Sequence, residues 1–221
     1  MLPYIERETG PGPDACVIWL HGLGADGHDF VPIVPELRLP PELRVRFVFP
    51  HAPAMPVTVN GGHVMPAWYD ILSLEIERKV DETQLRASAE AVQALIEQQL
   101  GQGIDSRRIV LAGFSQGGAV AYEAALSFDR PLGGLIAMST YFATAASLKL
   151  HDANRHLPVQ VLHGSRDPVV PELLGQKACR ALERLGLLPE YHNYPMEHSV
   201  CAAEIRDISR FLCRCLAPDQ E

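Results

Sequence analysis

The stretch Arg108-Ile-Val-Leu-Ala-Gly113-Phe-Ser115-Gln-Gly117-Gly-Ala-Val-Ala-Tyr-Glu-Ala-Ala125 decides the fold. Arg108–Ala112 is an apolar run too short for a helix, and it ends at a glycine, as a buried strand does. From Gly113 to Phe128 the pattern changes. Glycines come first, then Ala119, Ala121, Ala124 and Ala125, small residues that let a helix pack closely on a sheet. Between the two sits Gly113-x-Ser115-x-Gly117, which in a strand-to-helix context marks a sharp turn carrying an exposed serine nucleophile. Bulky side chains at the two glycines would strike the neighbouring strand or helix. With glycine there, the hydroxyl projects from the carboxyl end of the sheet, over a helix N-terminus that favours developing negative charge.

The same alternation extends in both directions. Cys16–His21, Val45–Phe49, Gly134–Met138 and Val159–His163 read as further buried strands, and Glu190–Tyr194 as a less apolar one nearer an edge. Near-continuous apolar strands belong to a parallel sheet covered on both faces. Leu85, Ala89, Val92, Leu95 and Ile96 recur at helical spacing, with Asp81 and Gln84 placed as a capping box. Leu174, Ala178, Ala181 and Leu185 make a second stripe, and Ile205, Ile208, Leu212 and Cys215 a third. Strand then helix, repeated, predicts an α/β fold with right-handed crossovers and a mostly parallel sheet. No repeat or linker interrupts the chain, so residues 1–221 are expected to form one domain. The segment from His51 to Ser73 has prolines, glycines and no clear periodicity, and is expected to be a lid or substrate-facing loop.

Composition narrows the function. The chain has 221 residues, of which 47% are hydrophobic and 21% charged, which excludes a disordered chain. Its net charge of −8 leaves no basic footprint for nucleic acid or for anionic membrane docking. The five cysteines are odd in number and lack C-x-x-C spacing, so neither a disulfide framework nor a zinc site is expected. No signal-peptide pattern opens the sequence and no apolar run reaches membrane-span length, so the expected location is the cytoplasm. Metal-hydrolase patterns such as H-E-x-x-H are missing.

A serine hydroxyl needs a histidine to take its proton, and the histidine needs a carboxylate to hold its tautomer. In this fold class the acid and then the base follow the serine in the chain. Of the nine histidines, five follow Ser115: His151, His156, His163, His192 and His198. His198 lies past the last strand and before the last helix, in a loop opening on the sheet's carboxyl edge. His192 falls inside a strand pattern, and His163 ends a strand ahead of the best acid candidate. That acid is Asp167, just beyond the fifth strand, where such sheets place their sites. Asp129 and Asp152 follow no strand so closely. The oxyanion hole requires backbone amides: one from Gln116, after the nucleophile, and one from the turn His21-Gly-Leu23-Gly24, where the Leu23 N–H is expected to point into the site. His21 is expected to brace that turn, and Glu197, beside His198, to be solvated.

With these residues in place the sequence resembles the small carboxylesterase/acyl-protein thioesterase (phospholipase/carboxylesterase) family of α/β-hydrolases, and within it the bacterial esterase branch. Leu20-His-Gly-Leu-Gly24, Gly103–Ala119, His163-Gly-Ser-Arg-Asp-Pro-Val-Val-Pro171 and Met65-Pro-Ala-Trp-Tyr-Asp-Ile71 carry the likeness, in order, from about residue 15 to the last helix. The resemblance implies a cofactor-free serine hydrolase with no large cap domain. It implies Ser115, Asp167 and His198 as the triad, and Leu23 and Gln116 as oxyanion donors. It also implies Trp68, Leu72 and Val169, along with Leu23, as candidates for an apolar acyl pocket. Family members act on short- to medium-chain acyl esters, and some on lysophospholipids or protein-linked thioesters; many form homodimers. Hydrolysis of short- to medium-chain esters is the first expectation, an acyl-protein thioesterase or lysophospholipase the alternative, and a non-catalytic binding protein on the same fold the third. The Met196-Glu197 pair before His198 departs from the family, in which glycine is common there.

Overall fold

The computed structural model describes residues 1–75 and 78–217. The strands, in chain order, are β1 (Tyr4–Glu8), β2 (Ala15–Leu20), β3 (Val45–Pro50), β4 (Ala54–Val57), β5 (His63–Pro66), β6 (Ile71–Ser73), β7 (Lys79–Val80), β8 (Ile109–Phe114), β9 (Gly134–Met138), β10 (Val159–Gly164) and β11 (Glu190–Tyr194). The α-helices are α1 (Ile33–Glu36), α2 (Glu82–Gly101), α3 (Gln116–Leu126), α4 (Glu172–Arg184) and α5 (Ala202–Cys215). Seven strands form the central sheet in the order β1-β3-β2-β8-β9-β10-β11. All its pairings are parallel except that of β1 with β3.

The sheet divides the apolar side chains between two cores. Along β2, Cys16, Ile18 and Leu20 enter the layer beneath α2, α3 and α4, while Ala15, Val17 and Trp19 face α1 and α5. This period-two split explains why the strand reads as one unbroken apolar run: both of its faces are covered. Each fully buried leucine or isoleucine contributes roughly 1.5–3 kcal/mol of transfer free energy. Helix α3 lies over the middle of the sheet, and every residue in it is buried. Its alanines and glycines are what permit that depth.

Three expectations need correction. Tyr4–Glu8 forms an antiparallel edge strand that its pattern does not announce, since it is polar and only half-buried. The segment from His51 to Ser73 has structure: β4 pairs with β5, the 3₁₀ turn Thr58–Asn60 joins them, and β6 pairs with β7. Pro56 in β4 and Pro66 in β5 obscure the alternation there, and they are tolerated because the pair is two-stranded, with outer edges that need no ladder. The capping box at α2 is only half formed. Asp81 Oδ1 accepts the Gln84 N–H at 3.0 Å, but the Gln84 side chain turns away to accept the Asp70 N–H at 2.7 Å. Residues 76–77 and 218–221 of the expected single domain lie outside the described residues.

Candidate active site

Ser115 occupies the one-residue turn between β8 and α3 with φ 54° and ψ −120°, a conformation that costs a non-glycine residue strain energy. Its surroundings force it there. The Ser115 N–H donates to Met138 O at 2.9 Å, and its carbonyl accepts from the Gly118 N–H at 3.0 Å and from the Thr140 hydroxyl. A Cβ on Gly113 would lie 2.5 Å from Gly117 O, and one on Gly117 would lie 2.5 Å from His21 O. The elbow is therefore closed against any side chain at either glycine.

Asp167 and His198 arrive from the ends of β10 and β11. Those loops are tied together by the Ser165 N–H donating to Tyr194 O at 2.8 Å and the Arg166 N–H to Met196 O at 3.1 Å. His198 Nδ1 and Asp167 Oδ2 are 2.7 Å apart. The other oxygen, Asp167 Oδ1, accepts the Val169 and Val170 N–H groups at 2.9 and 2.8 Å in an Asx turn. Burial pushes the Asp167 carboxyl up, but the His198 hydrogen bond and charge and the two amides outweigh it and hold the group below the ordinary carboxylate value. The acid is thus ionised at neutral pH and fixes His198 with Nδ1–H directed at it, leaving Nε2 as the acceptor. The Phe114 ring packs against the imidazole with centroids 4.7 Å apart.

Ser115 and His198 line one cavity of about 340 Å³, a volume within the ordinary range for a small-molecule site. Leu23 and Gln116 line it too. Among the described residues neither of their backbone N–H groups has an acceptor within the protein. Two unengaged amides beside a serine are the arrangement that can hold a developing oxyanion.

The turn carrying Leu23 is braced from behind. His21 is buried, with Nδ1 2.7 Å from Gly22 O and Nε2 accepting the Ala52 N–H at 3.1 Å. Burial lowers its pKa, the Gly22 carbonyl opposing this, so the ring is neutral and serves as a strut. His163 is likewise buried, donating from Nε2 to Val170 O at 2.8 Å, and burial lowers its pKa too. His192 lies exposed on the edge strand β11, and Glu197 is exposed.

The expected acyl-pocket residues fall into three different places. Val169 lines the cavity. Trp68 does not: it is fully buried, donating its indole N–H to His21 O at 2.9 Å and its backbone N–H to Gln116 Oε1 at 2.8 Å. It packs as a wedge behind the turn that carries Leu23. Leu72 is 49% exposed and does not line the cavity, whereas its neighbour Ile71 does. Ile71, Leu74, Val59 and Tyr141, none of them among the expected pocket residues, supply the apolar wall. Tyr141 follows the end of β9, so the strand-end rule that picked out Asp167 applied to it as well.

The Gln116 side chain links the two halves of the site. Besides accepting from Trp68, it donates from Nε2 to Tyr69 O at 2.6 Å. Gln116 thereby anchors the segment that braces the Leu23 turn.

A family profile described as Phospholipase/Carboxylesterase matches residues 5–216. The chain is 37% identical over 215 residues to an acyl-protein thioesterase 1 of Gibberella zeae, covering 92% of each. The crystal structure of Arabidopsis thaliana SOBER1 superposes with a TM-score of 0.86 at 28% identity, covering 91% of this chain and 99% of that one. The crystal structure of Zea mays acyl-protein thioesterase 2 gives 0.82 at 25% identity, covering 96% and 99%.

Proposed function

Since the chain belongs to the phospholipase/carboxylesterase family of α/β-hydrolases, and is a serine hydrolase of carboxylic esters or thioesters, we propose that it removes acyl groups from protein thioesters through an acyl-enzyme on Ser115. Oxygen esters of the same acyl groups are handled by the same groups. The observation that carries the mechanism is the 2.7 Å contact between His198 and Asp167, with His198 on the same cavity as Ser115. The thioester preference rests on the likeness to the Gibberella zeae acyl-protein thioesterase, and it displaces short-chain ester hydrolysis as the favoured reading.

His198 Nε2 takes the Ser115 proton as Oγ attacks the acyl carbon. Asp167 stabilises the imidazolium that forms and is not itself protonated. The carbonyl oxygen becomes negative between the Leu23 and Gln116 amides, in a site already organised to receive it. On collapse of the tetrahedral adduct the C–S bond breaks, and His198 gives its proton to the departing sulfur. A thiol with a pKa near 8.5 leaves more easily than an alcohol. Water then attacks the acyl-enzyme with His198 again as base, releasing the carboxylic acid and restoring Ser115. Ile71, Leu74 and Val59 shelter the acyl chain.

A chain-length series of acyl thioesters and matching oxygen esters, run with the Ser115→Ala variant as control, tests the reading. We expect higher kcat/KM for medium and long thioesters, and labelling by a fluorophosphonate that the variant abolishes. A sharp preference for acetyl and butyryl oxygen esters would overturn the thioesterase assignment, and hydrolysis persisting in the variant would overturn the nucleophile.

A further inference from the structure

Beside the active-site cavity runs a second groove of about 440 Å³. Arg78 and Tyr141 line both spaces, and the guanidinium of Arg78 stands 5.1 Å over the Tyr141 ring where they meet. The groove floor is apolar, made in part by Phe142, Leu174 and Ala181. Its rim carries Lys177, Arg180 and Arg184, all three exposed on α4. Among the described residues none of these three forms a salt bridge. In a chain of net charge −8 an unpaired row of cations stands against the general field of the molecule. Arg184, in the last turn, also suits the helix dipole, but Lys177 and Arg180 sit mid-helix, where the dipole does not explain them.

We infer that this groove receives an acidic stretch of the acylated protein substrate, holding it against α4 while the acyl-cysteine enters the active-site cavity. The inference rests on the thioesterase reading and adds the substrate's flanking chemistry to it. Spacing selects a chain over a single anion. The positions 177, 180 and 184 place the cations on one helix face, strung along about 10 Å of axis. A lone phosphate would need donors that converge on one point. A peptide carrying Asp or Glu at intervals meets each cation in turn and lays its apolar residues on the floor between them. Exposed pairs of this kind are individually weak and screened by salt, so the effect expected is one of selectivity and encounter.

The test uses two synthetic peptides with the same acyl-cysteine thioester, one flanked by Asp and Glu, the other by Asn and Gln. Wild-type protein is expected to favour the acidic peptide by about tenfold in kcat/KM at low ionic strength, three exposed pairs adding to roughly that factor. The advantage is expected to fade as salt shortens the screening length. In a Lys177→Gln/Arg180→Gln/Arg184→Gln variant it should drop below about twofold, with hydrolysis of a small neutral ester as the control for folding. Equal rates for the two peptides in the wild type, or an advantage that survives the substitutions, would overturn the inference. Fluorescence anisotropy with the same peptides lacking the acyl group separates it from the proposed function. Acidic peptide bound but no thioester cleaved leaves the groove standing and removes the thioesterase reading. Thioesters cleaved with no acidic preference and no binding does the reverse. Sedimentation with phosphatidylserine vesicles, lost in the variant and unaccompanied by peptide preference, would give the cations to a lipid surface and overturn the inference.

Discussion

The two sides of the active-site cavity are held in place by different means. On one side the Ser115 turn is fixed through its backbone: Ser115 N–H to Met138 O, Ser115 O from the Gly118 N–H, and glycines with no room for a Cβ. On the other side the wall of residues 58–74 has two short backbone ladders of its own and is joined to its neighbours by side-chain clips as well. Asp70 accepts from the Thr58 N–H at 2.7 Å and from its hydroxyl at 2.6 Å, and the Asp70 N–H goes to Gln84. Gln116 holds Trp68 and Tyr69. Side-chain exchange cannot remove a backbone hydrogen bond, but it can remove a clip. Single substitutions are therefore expected to perturb the wall more gently than the Ser115 turn.

The largest effect belongs to the fixed side. Ser115→Ala should lower kcat by up to about 10⁶ while the melting temperature stays near that of the wild type, as assayed by steady-state kinetics and thermal unfolding. Next comes Gly117→Ala, whose Cβ would lie 2.5 Å from His21 O and 2.6 Å from Leu20 O. We expect destabilisation of more than about 3 kcal/mol by denaturant titration, because backbone surrounds the new methyl and cannot yield. A variant that folds as tightly as the parent would show the elbow to be less rigid than its contacts imply.

Breaking clips should cost less. Gln116→Ala keeps the oxyanion amide but leaves the Trp68 N–H and Tyr69 carbonyl without partners, a loss of about 1–3 kcal/mol, and should lower kcat/KM by roughly tenfold or more. Asp70→Ala should raise KM for long-chain substrates by a few-fold, with acetyl-ester turnover near normal, about the worth of one or two exposed hydrogen bonds. Equal losses on both substrates would place Asp70 in fold stability rather than in the acyl wall.

Acidity probes the strut behind the oxyanion turn. Burial keeps His21 and His163 neutral, with pKa values below the ordinary 6.5. At these two sites the unfolded chain binds more protons than the folded one as pH falls below about 6.5, and each removes up to about 1.4 kcal/mol of stability per pH unit, while the buried Glu204 carboxyl, pushed up to about 8, works in the opposite sense over the same window. Asp167, depressed below its ordinary 3.8, adds a further loss only at lower pH. Urea unfolding between pH 7 and 5 checks the first window, and a His21→Gln variant should show the shallower slope.

The sequence was most readable where one residue type alone satisfies the geometry. Gly113 and Gly117 announced a turn without room, and the apolar runs of β2, β8, β9 and β10 announced a sheet covered on both faces. Asp167 and His198 could be singled out because strand ends of a parallel sheet share one edge, and the two stand 2.7 Å apart. Trp68 misled because large apolar residues near a site suit a pocket and a wedge equally well. Only tertiary contacts distinguish the two, here the hydrogen bonds to His21 and Gln116. Leu72 misled because β6 is three residues long, too short for alternation to declare which side faces in. The edge strand β1 escaped notice because half-buried polar residues resemble a loop when its partner, β3, is some 40 residues away in sequence.

Trp68 has one more consequence. The chain contains two tryptophans. Trp19 is locked in the opposite core against Phe30, with ring centroids 5.3 Å apart, and offers a steady background. Trp68 has its indole hydrogen-bonded to the carbonyl of His21, two residues before the Leu23 amide. Its intrinsic fluorescence is therefore expected to report on the turn that carries Leu23, so that slackening of that turn should register as a spectral change in the unlabelled protein.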